Sequence, residues 1–158
     1  MNSSVSQGLP LLKNAEGKPA LSLVTGATGY IGGRLIVELL KHGYRVRILA
    51  RNAERLKYHP WIDQVEVFEG DAHNEGALAK AMAGVDVAYY LLHALMSKDD
   101  FEQEEREMAT GFGKVAKANS VKRIVYLGGI IAPDEVMSPH LQAREETGEI
   151  LRASGVPL

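Results

Sequence analysis

The sequence predicts a doubly wound α/β fold, in which helices cover both faces of a parallel sheet of at least five strands. Strand-like and helical patterns alternate five times along the chain. The strand-like runs are short and almost wholly apolar, which is typical of parallel strands that are buried on both faces. Because crossovers between parallel strands are right-handed, this alternation favours a doubly wound sheet over other topologies.

The first strand–helix–strand unit is the clearest part of the pattern. Residues 21–25 form a β-prone run that ends at Gly26, and residues 30–42 carry apolar side chains at helical spacing before Gly43. The later predicted elements are a strand over 44–50, a short helix over 53–58, a strand over 65–68, a helix capped by Asn74 and running through Met82, a strand over 86–92, a helix from Asp99 or Asp100 to Asn119, a strand over 123–127 and a helix over 140–153.

A glycine-rich segment joins the first strand to the first helix. Gly26, Gly29 and Gly32 follow the spacing G-x-x-G-x-x-G within the sequence TGATGYIG. The first glycine permits a tight turn, the second lets the backbone approach a pyrophosphate, and the third lets the helix pack closely. The amino terminus of the helix adds free N–H groups and a positive dipole end. Since the segment follows a strand and opens a helix, it predicts a dinucleotide site.

The end of the second strand indicates which dinucleotide is preferred. An acidic residue about 20 positions beyond the glycines would bind the ribose hydroxyls of NAD. The sequence has Arg51 there instead, and a guanidinium matches the 2′-phosphate of NADP. Arg34 and Arg55 would add positive charge. We therefore expect NADP(H) to be preferred over NAD(H), the alternative being that Arg51 is an ordinary solvated arginine.

Composition excludes several other classes of protein. The chain has 158 residues, of which 46% are hydrophobic and 24% charged, as in one ordinary globular domain. A net charge of −2 gives no overall basic field, so neither nucleic acid nor an anionic membrane is expected as a partner. The lack of cysteine excludes disulfides and thiolate metal sites and fits a cytoplasmic location. The histidines form no pair at ligand spacing, so no metal site is predicted.

Together, these residues resemble the short-chain dehydrogenase/reductase superfamily. The similarity lies in TGATGYIG, in Arg51 after the second strand, in Gly70-Asp71 after the third and in YLGG at the end of the fifth. Within the superfamily, the chain is similar to the atypical, NmrA-like NAD(P)H-binding branch, which is often described as nucleoside-diphosphate-sugar epimerase-like. The resemblance covers residues 21–158 and implies a Rossmann-like NAD(P)-binding domain.

The resemblance also implies which residues contact the cofactor. The glycine loop would line the pyrophosphate, and Asp71 with Ala72 would contact the adenine edge. The cofactor ribose would pass the end of the fourth strand, where His93 lies. In the alternative interpretation, His93 forms hydrogen bonds with the backbone and does not contact the cofactor. The implied cofactor-binding residues are Gly26, Thr28, Gly29, Tyr30, Ile31, Gly32, Arg51, Asp71, Ala72, Leu91, Leu92, His93 and Gly128.

The catalytic residues of the superfamily are replaced in this sequence. Its members use a tyrosine, a lysine four residues later on the same helix, and a serine at the end of the fifth strand. Here His140 and Arg144 would occupy the tyrosine and lysine positions, and Gly128-Gly129 replaces the serine. His140 is the candidate proton donor, and Arg144 would anchor cofactor or substrate. In the alternative interpretation, His140 is a surface residue and the proton relay is absent.

Three functions stay open from the sequence. The first is an NAD(P)H-dependent oxidoreductase that acts on a small carbonyl or enone. The second is a non-catalytic, NmrA-like NADP(H) redox sensor or regulator. The third is a nucleotide-sugar epimerase or dehydratase, which would normally need the missing tyrosine and lysine. The expected partners are the nucleotide cofactor and a small-molecule substrate.

The domain organisation follows from the limits of the resemblance. Residues 1–20 are polar, lack the pattern of a signal peptide and are expected to form a flexible leader. Residues 21–158 are expected to form the NAD(P)-binding domain. Because the common dinucleotide-binding order has six strands, we expect a sixth strand and a substrate-binding region beyond Leu158.

Overall fold

A computed structural model describes residues 11–93, 101–129 and 138–158 of the chain. The elements within these ranges follow the predicted order, with two short 3₁₀ helices between the second and third strands. They are β1 (Leu21–Thr25), α1 (Tyr30–Lys41), β2 (Arg45–Ala50), the 3₁₀ helices Ala53–Leu56 and Ile62–Gln64, β3 (Glu66–Glu69), α2 (Glu75–Met82), β4 (Val87–Tyr90), α3 (Phe101–Ala118), β5 (Arg123–Tyr126) and α4 (Pro139–Ala153).

The five strands form one parallel sheet in the order β3-β2-β1-β4-β5. β1 pairs with β2 from Leu21 opposite Arg45 to Thr25 opposite Leu49, and its other edge pairs with β4. The chain therefore moves outwards from β1 to β3 and then returns past β1 to add β4 and β5. This arrangement confirms the predicted doubly wound, Rossmann-like sheet. In such sheets, ligands bind at the carboxyl ends of the strands where the order reverses, here between β1 and β4.

Separate apolar clusters pack on the two faces of the sheet. On one face, Ile36 and Leu39 of α1 pack with Leu56 and Trp61 from the 3₁₀ segment. On the other face, α2, α3 and α4 bury a larger cluster that includes the aromatic pair Tyr90 and Phe112. Both faces being covered explains why β1 and β4 are almost completely buried, and it holds the strand ends in fixed positions at the edge of the sheet.

The segment after β2 differs from the prediction. A short helix was expected over 53–58, but the structure forms a single 3₁₀ turn over Ala53–Leu56. The Asn52 side chain accepts a hydrogen bond from the Glu54 N–H and so starts the turn at a fixed residue. Pro60 follows closely, and a proline disfavours helical backbone in the residue before it, so a helix cannot continue through His59. Strand β4 is also shorter than predicted and ends at Tyr90.

Part of the expected leader is folded as a tight turn. Lys13 and Pro19 form an antiparallel bridge, and the Ala20 N–H donates to the Leu12 carbonyl at 2.9 Å. The Asn14 side chain accepts from the Lys18 N–H at 2.9 Å. Residues 1–10 lie outside the described residues, as do Asp99 and Asp100, the predicted start of α3.

The chain after α4 returns to the outer edge of β5. The Ile124 N–H donates to the Pro157 carbonyl at 2.8 Å, and Val156 is buried beside it. This is the edge at which the common six-stranded order places its sixth strand, whose presence stays a prediction. None of the helices in the described ranges combines the length and hydrophobicity needed to cross a membrane.

Candidate functional site

A cavity of about 450 Å³ opens at the carboxyl ends of the strands, where the sheet order reverses. Its volume lies in the usual range for sites that bind small molecules and cofactors. Its wall includes predicted residues from the glycine loop and from the segments that follow β2, β3 and β4. These are Gly26, Thr28, Gly29, Arg51, Asp71, Ala72, Leu91, Leu92 and His93.

The glycine loop is shaped by two close backbone approaches. Gly26 has a φ of +71°, and an added Cβ would lie 2.5 Å from the carbonyl oxygen of Leu91. A Cβ on Gly32 would collide with the carbonyl oxygen of Gly26, so this glycine allows α1 to pack against the loop. Thr25 fixes the loop to β4, since its hydroxyl donates to the Tyr89 carbonyl at 2.7 Å. Only glycine fits at either position without a shift of the backbone.

The amino terminus of α1 points its free N–H groups towards the loop. Gly29 is the N-cap residue and has extended backbone, and the first turn of α1 contains no acidic side chain. The first N–H groups of a helix have no partner within the helix, so they and the positive end of the dipole suit a phosphate. This part of the cavity can therefore hold an anion without any charged side chain.

Two arginines line the cavity beyond the end of β2. Arg51, Asn52 and Arg55 all contribute to its wall. Within the described residues, neither arginine forms an ion pair with a carboxylate of the chain. Their charges are therefore available to a ligand, and guanidinium groups bind phosphate with two parallel hydrogen bonds.

A histidine connects two carboxylates across the cavity wall after β3. The Nδ1 atom of His73 lies 2.8 Å from a carboxylate oxygen of Asp71, and its Nε2 atom lies 3.2 Å from one of Glu104. The His73 backbone N–H also donates to Asp71. Hydrogen bonds from the His73 backbone and ring lower the pKa of Asp71, with smaller electrostatic contributions from His73 and Arg51. Asp71 is thus held as an anion that can accept hydrogen bonds.

The far end of the cavity contains His93, which follows β4. Nε2 of His93 lies 3.2 Å from Nη2 of Arg144 on α4. Burial lowers the pKa of His93, and the positive charge of Arg144 lowers it further, while Glu105 acts in the opposite direction. The neutral form of His93 is therefore favoured.

Several predicted site residues lie outside the cavity wall. Tyr30 is 74% exposed and lies under the Arg34 guanidinium, which is 5.0 Å from its ring centre. The exposed ring of His140 packs on Phe101, with the ring centres 5.0 Å apart. The described residues that line the cavity do not include the predicted residues Tyr30, Ile31, Gly32, Gly128, His140 and Arg144. The catalytic roles of His140 and Arg144 stay predictions.

Sequence reasoning missed the contribution of α3. The run of Glu102, Glu104, Glu105 and Glu107 is typical of a solvent-exposed helix face, but Glu104 lines the cavity and is half-buried. Met108, four residues later, lines the same wall. Because residues four positions apart lie on one face of a helix, the spacing of Glu104 and Met108 was the sequence signal that both face the same side. The other lining residues that were not predicted as cofactor contacts are Ala27, Leu49, Ala50, Asn52, Gly70 and His73, while Arg55 was expected to add positive charge.

Comparisons with known proteins agree with this geometry. Residues 26–156 match a protein family described as NAD(P)H-binding. The chain is 33% identical over 136 residues to (4-alkanoyl-5-oxo-2,5-dihydrofuran-3-yl)methyl phosphate reductase of Streptomyces griseus, covering 85% of this chain and 44% of that protein. It is 27% identical over 135 residues to ceramide reductase of Caulobacter vibrioides, covering 83% of this chain and 41% of that protein.

A solved structure shows the same fold. Triphenylmethane reductase of Citrobacter sp., complexed with NADP(H), is 29% identical and superposes with a TM-score of 0.71. The match covers 86% of this chain and 46% of that one. The chain thus spans less than half the length of these relatives.

Proposed function

The chain belongs to the NAD(P)H-binding family, and on this basis we propose that the protein is an NADPH-dependent reductase of a small carbonyl or enone compound. The observation that carries the proposal is the cavity at the reversal of strand order, with the glycine loop on one side and His93 on the other. The chain holds a nicotinamide-cofactor domain, and the reductase activity belongs to the whole protein.

The cavity fits a dinucleotide. Gly26 and Gly32 leave no room for a Cβ, so these glycines let the loop pack closely against the segment after β4 and against α1 in the shape that lines the cavity. The amino terminus of α1 provides N–H donors for the phosphates, and Asp71 provides an acceptor for the adenine amino group. When bound, a reduced nicotinamide supplies the hydride, while the protein binds and orients it.

A preference for NADP(H) over NAD(H) is part of the proposal. Arg51 and Arg55 line the cavity after β2, and β2 is not followed by the carboxylate that would bind the ribose hydroxyls of NAD. Two guanidinium groups without an ion-pair partner among the described residues favour a ligand with an additional phosphate.

The proposed substrate class is supported by the relatives and by the wall of the cavity. The two curated relatives described above are named as reductases, and the solved neighbour is a reductase complexed with NADP(H). Leu91, Leu92 and Met108 give part of the wall an apolar surface, which suits a small organic carbonyl compound. We place the protein in the cytoplasm, because a chain without cysteine suits a reducing compartment.

The test is a binding titration followed by an activity assay with the full-length protein. NADP(H) and NAD(H) are titrated separately, and NADPH consumption is then followed with a panel of ketones, quinones and enones. Tighter binding of NADP(H) with consumption of NADPH supports the proposal. Equal affinity for the two cofactors would remove the NADP preference, and binding of neither would remove the function altogether.

A non-catalytic NADP(H) sensor is the second candidate. The observation that favours it is the ring of His140, which packs on Phe101 outside the cavity wall, although the resemblance assigns His140 to the position of the superfamily's tyrosine. His140→Ala separates the two candidates. A general acid contributes about 10²- to 10⁴-fold to rate, so a loss of that size would support His140 as the proton donor. Unchanged turnover would remove that role, and tight binding without turnover would favour the sensor.

A further inference from the structure

We propose that Arg144 is a positioning residue that holds His93 as a neutral imidazole with its proton on Nδ1. In this form, His93 presents an uncharged N–H donor to a carbonyl oxygen in the cavity. The identity of that carbonyl rests on the proposed function, whereas the tautomer of His93 depends only on the geometry of the chain.

The hydrogen-bonding capacities of the two groups determine the tautomer. Nη2 of Arg144 lies 3.2 Å from Nε2 of His93. A guanidinium is always protonated and has donors only, so Nε2 must be the acceptor. A neutral imidazole whose Nε2 accepts carries its single proton on Nδ1. The contact therefore specifies both the charge and the tautomer of His93.

Arg144 is itself held between two strand ends. Its Nη1 atom donates to the carbonyl of Leu127, just after β5, at 3.5 Å, while Nη2 reaches His93 after β4. The Tyr126 hydroxyl donates to the backbone carbonyl of Arg144 at 2.9 Å and so fixes this turn of α4 on β5. The guanidinium thus spans the carboxyl ends of adjacent parallel strands, where open α/β sheets bind ligands.

The surroundings of His93 oppose its protonation. Burial lowers the pKa of His93, and the adjacent Arg144 charge adds to this effect. Glu105 on α3 is the charged group that acts in the other direction. Among the described residues, Nδ1 of His93 has no hydrogen-bond partner, while His93 itself lines the cavity. Its proton is therefore available to a ligand.

An uncharged donor suits an uncharged oxygen. A neutral imidazole N–H polarises a carbonyl group by donating a hydrogen bond to it. The proton itself stays on Nδ1, because Nε2 accepts from Arg144 and cannot take up a second proton in exchange. Two ligands would bring such an oxygen to this end of the cavity. One is the carbonyl of the substrate, and the other is the carboxamide of the nicotinamide. The shared chemistry is a carbonyl acceptor, and the experiment separates the two sources.

The first test is nitrogen NMR of the full-length protein labelled with ¹⁵N-histidine, with His93→Gln used to assign the His93 signals. We expect a protonated Nδ1 and an unprotonated Nε2 at neutral pH. Arg144→Met removes the donors and keeps much of the side-chain volume, so we expect the proton to shift towards Nε2. Arg144→Lys, which keeps a donor, should partly restore the Nδ1–H form.

The matched control is Arg152→Met, a change of the same type two turns later on α4 at an exposed residue. It should leave the His93 signals unchanged. A protonated Nε2 in the unmodified protein would overturn the proposal, as would an Arg144→Met variant that is folded and retains the Nδ1–H form. Because the readout is the state of the ring, a purely structural role for Arg144 would not produce the expected shift.

The second test identifies the carbonyl. NADP⁺, its adenosine half 2′,5′-ADP, and acetophenone in the presence of NADP⁺ are added in turn while the Nδ1–H signal is followed. A shift with NADP⁺ but not with 2′,5′-ADP identifies the nicotinamide half, and a shift only with acetophenone identifies the substrate. His93→Phe should then weaken binding of that ligand by about 3- to 10-fold, as for one uncharged hydrogen bond.

The failures of the two proposals are distinguishable. If NADP⁺ binds and neither it nor acetophenone shifts the Nδ1–H signal, the donor role of His93 is wrong and the reductase proposal survives. If NADP⁺ does not bind, the proposed function is wrong, and the Arg144→Met comparison still decides the tautomer.

Discussion

The carbonyl oxygen of Leu91 lies 2.5 Å from the point that a Cβ on Gly26 would occupy. Gly26 directly follows β1 and Leu91 directly follows β4, so the chain segments that leave these two adjacent strands are in backbone contact at the point where the strand order reverses. The loop that faces the cavity is therefore placed by the backbone of a strand more than sixty residues away in sequence. Its shape depends on the whole sheet being formed.

We expect Gly26→Ala to weaken both cofactor binding and stability. The alanine would have to adopt a φ of +71°, which costs roughly 1–2 kcal/mol, and its methyl group would also displace Leu91. The displacement should add about 1–3 kcal/mol to the loss of unfolding free energy. Urea unfolding and an NADP(H) titration measure the two effects.

Gly84→Ala is the matched control for that substitution. Gly84 also has a positive φ, of +73°, but a Cβ there would meet nothing within 4 Å. It should show only the backbone cost and leave cofactor affinity unchanged. Equal effects of the two substitutions would show that the contact with Leu91 does not matter.

Arg51→Ala should reduce the affinity for NADP(H) selectively. A lost charge-assisted hydrogen bond is worth about 1.5–3 kcal/mol, which corresponds to roughly 10- to 150-fold in the Kd for NADP(H). The Kd for NAD(H) should change by less than about threefold, since it lacks the 2′-phosphate. Arg123→Ala, at the opposite end of the sheet on β5, serves as the control. An unaltered ratio of the two Kd values would contradict the role of Arg51.

Asp86 stabilises the end of the sheet opposite the cavity. Its carboxylate accepts from the Leu21 N–H at 2.9 Å and pairs with Lys122 at 2.9 Å. Burial alone would raise the pKa of Asp86, but these hydrogen bonds and the Lys122 charge outweigh it and lower the pKa. We expect Asp86→Ala to lower the free energy of unfolding by about 1–3 kcal/mol at pH 7. Lys122→Met should cost less, because the bond to Leu21 remains and Lys122 is half-exposed.

The contribution of Asp86 should depend on pH in a defined direction. Its pKa is lower in the folded protein than the value of about 3.9 expected in the unfolded chain. The stabilisation is therefore complete above the unfolded pKa and is lost as the pH falls through the folded pKa. Urea unfolding at pH 7 and at pH 3 should show a smaller difference between the unmodified protein and Asp86→Ala at pH 3. A difference that grows on acidification would contradict the ion pair.

Tyr90→Phe should leave the protein at least as stable as before. Tyr90 is buried against Phe112, with ring centres 4.9 Å apart, and its hydroxyl has no hydrogen-bond partner in the described part of the chain. Removing an unpaired buried hydroxyl relieves its desolvation cost while keeping the ring contacts. Thermal unfolding should therefore give an unchanged or higher Tm. A loss of more than about 1 kcal/mol would show that the hydroxyl has a partner.

Much of the fold was predictable because its signals are local. The glycine loop, the apolar strands and the Asn74 cap of α2 are each specified by residues within a few positions of one another, and the structure confirms them. Two features differ from the prediction, one for a local reason and one for a long-range reason. The short helix predicted over 53–58 is present only as one 3₁₀ turn over Ala53–Leu56, which Asn52 caps and Pro60 follows closely. The contact of Glu104 with His73 on the cavity wall could not be predicted, because the two residues are distant in sequence.

By itself, the sequence determined the order of elements, the parallel sheet and the glycine loop, since hydrophobic periodicity and glycine spacing act over short distances. Only the tertiary structure decided which distant side chains meet. It brought Arg144 to His93 across fifty-one positions and left His140 on Phe101. The physical reason is that parallel strands bring their carboxyl ends together regardless of their separation along the chain. The chemistry of the cavity therefore depends on contacts between residues that are too far apart in sequence for spacing patterns to predict.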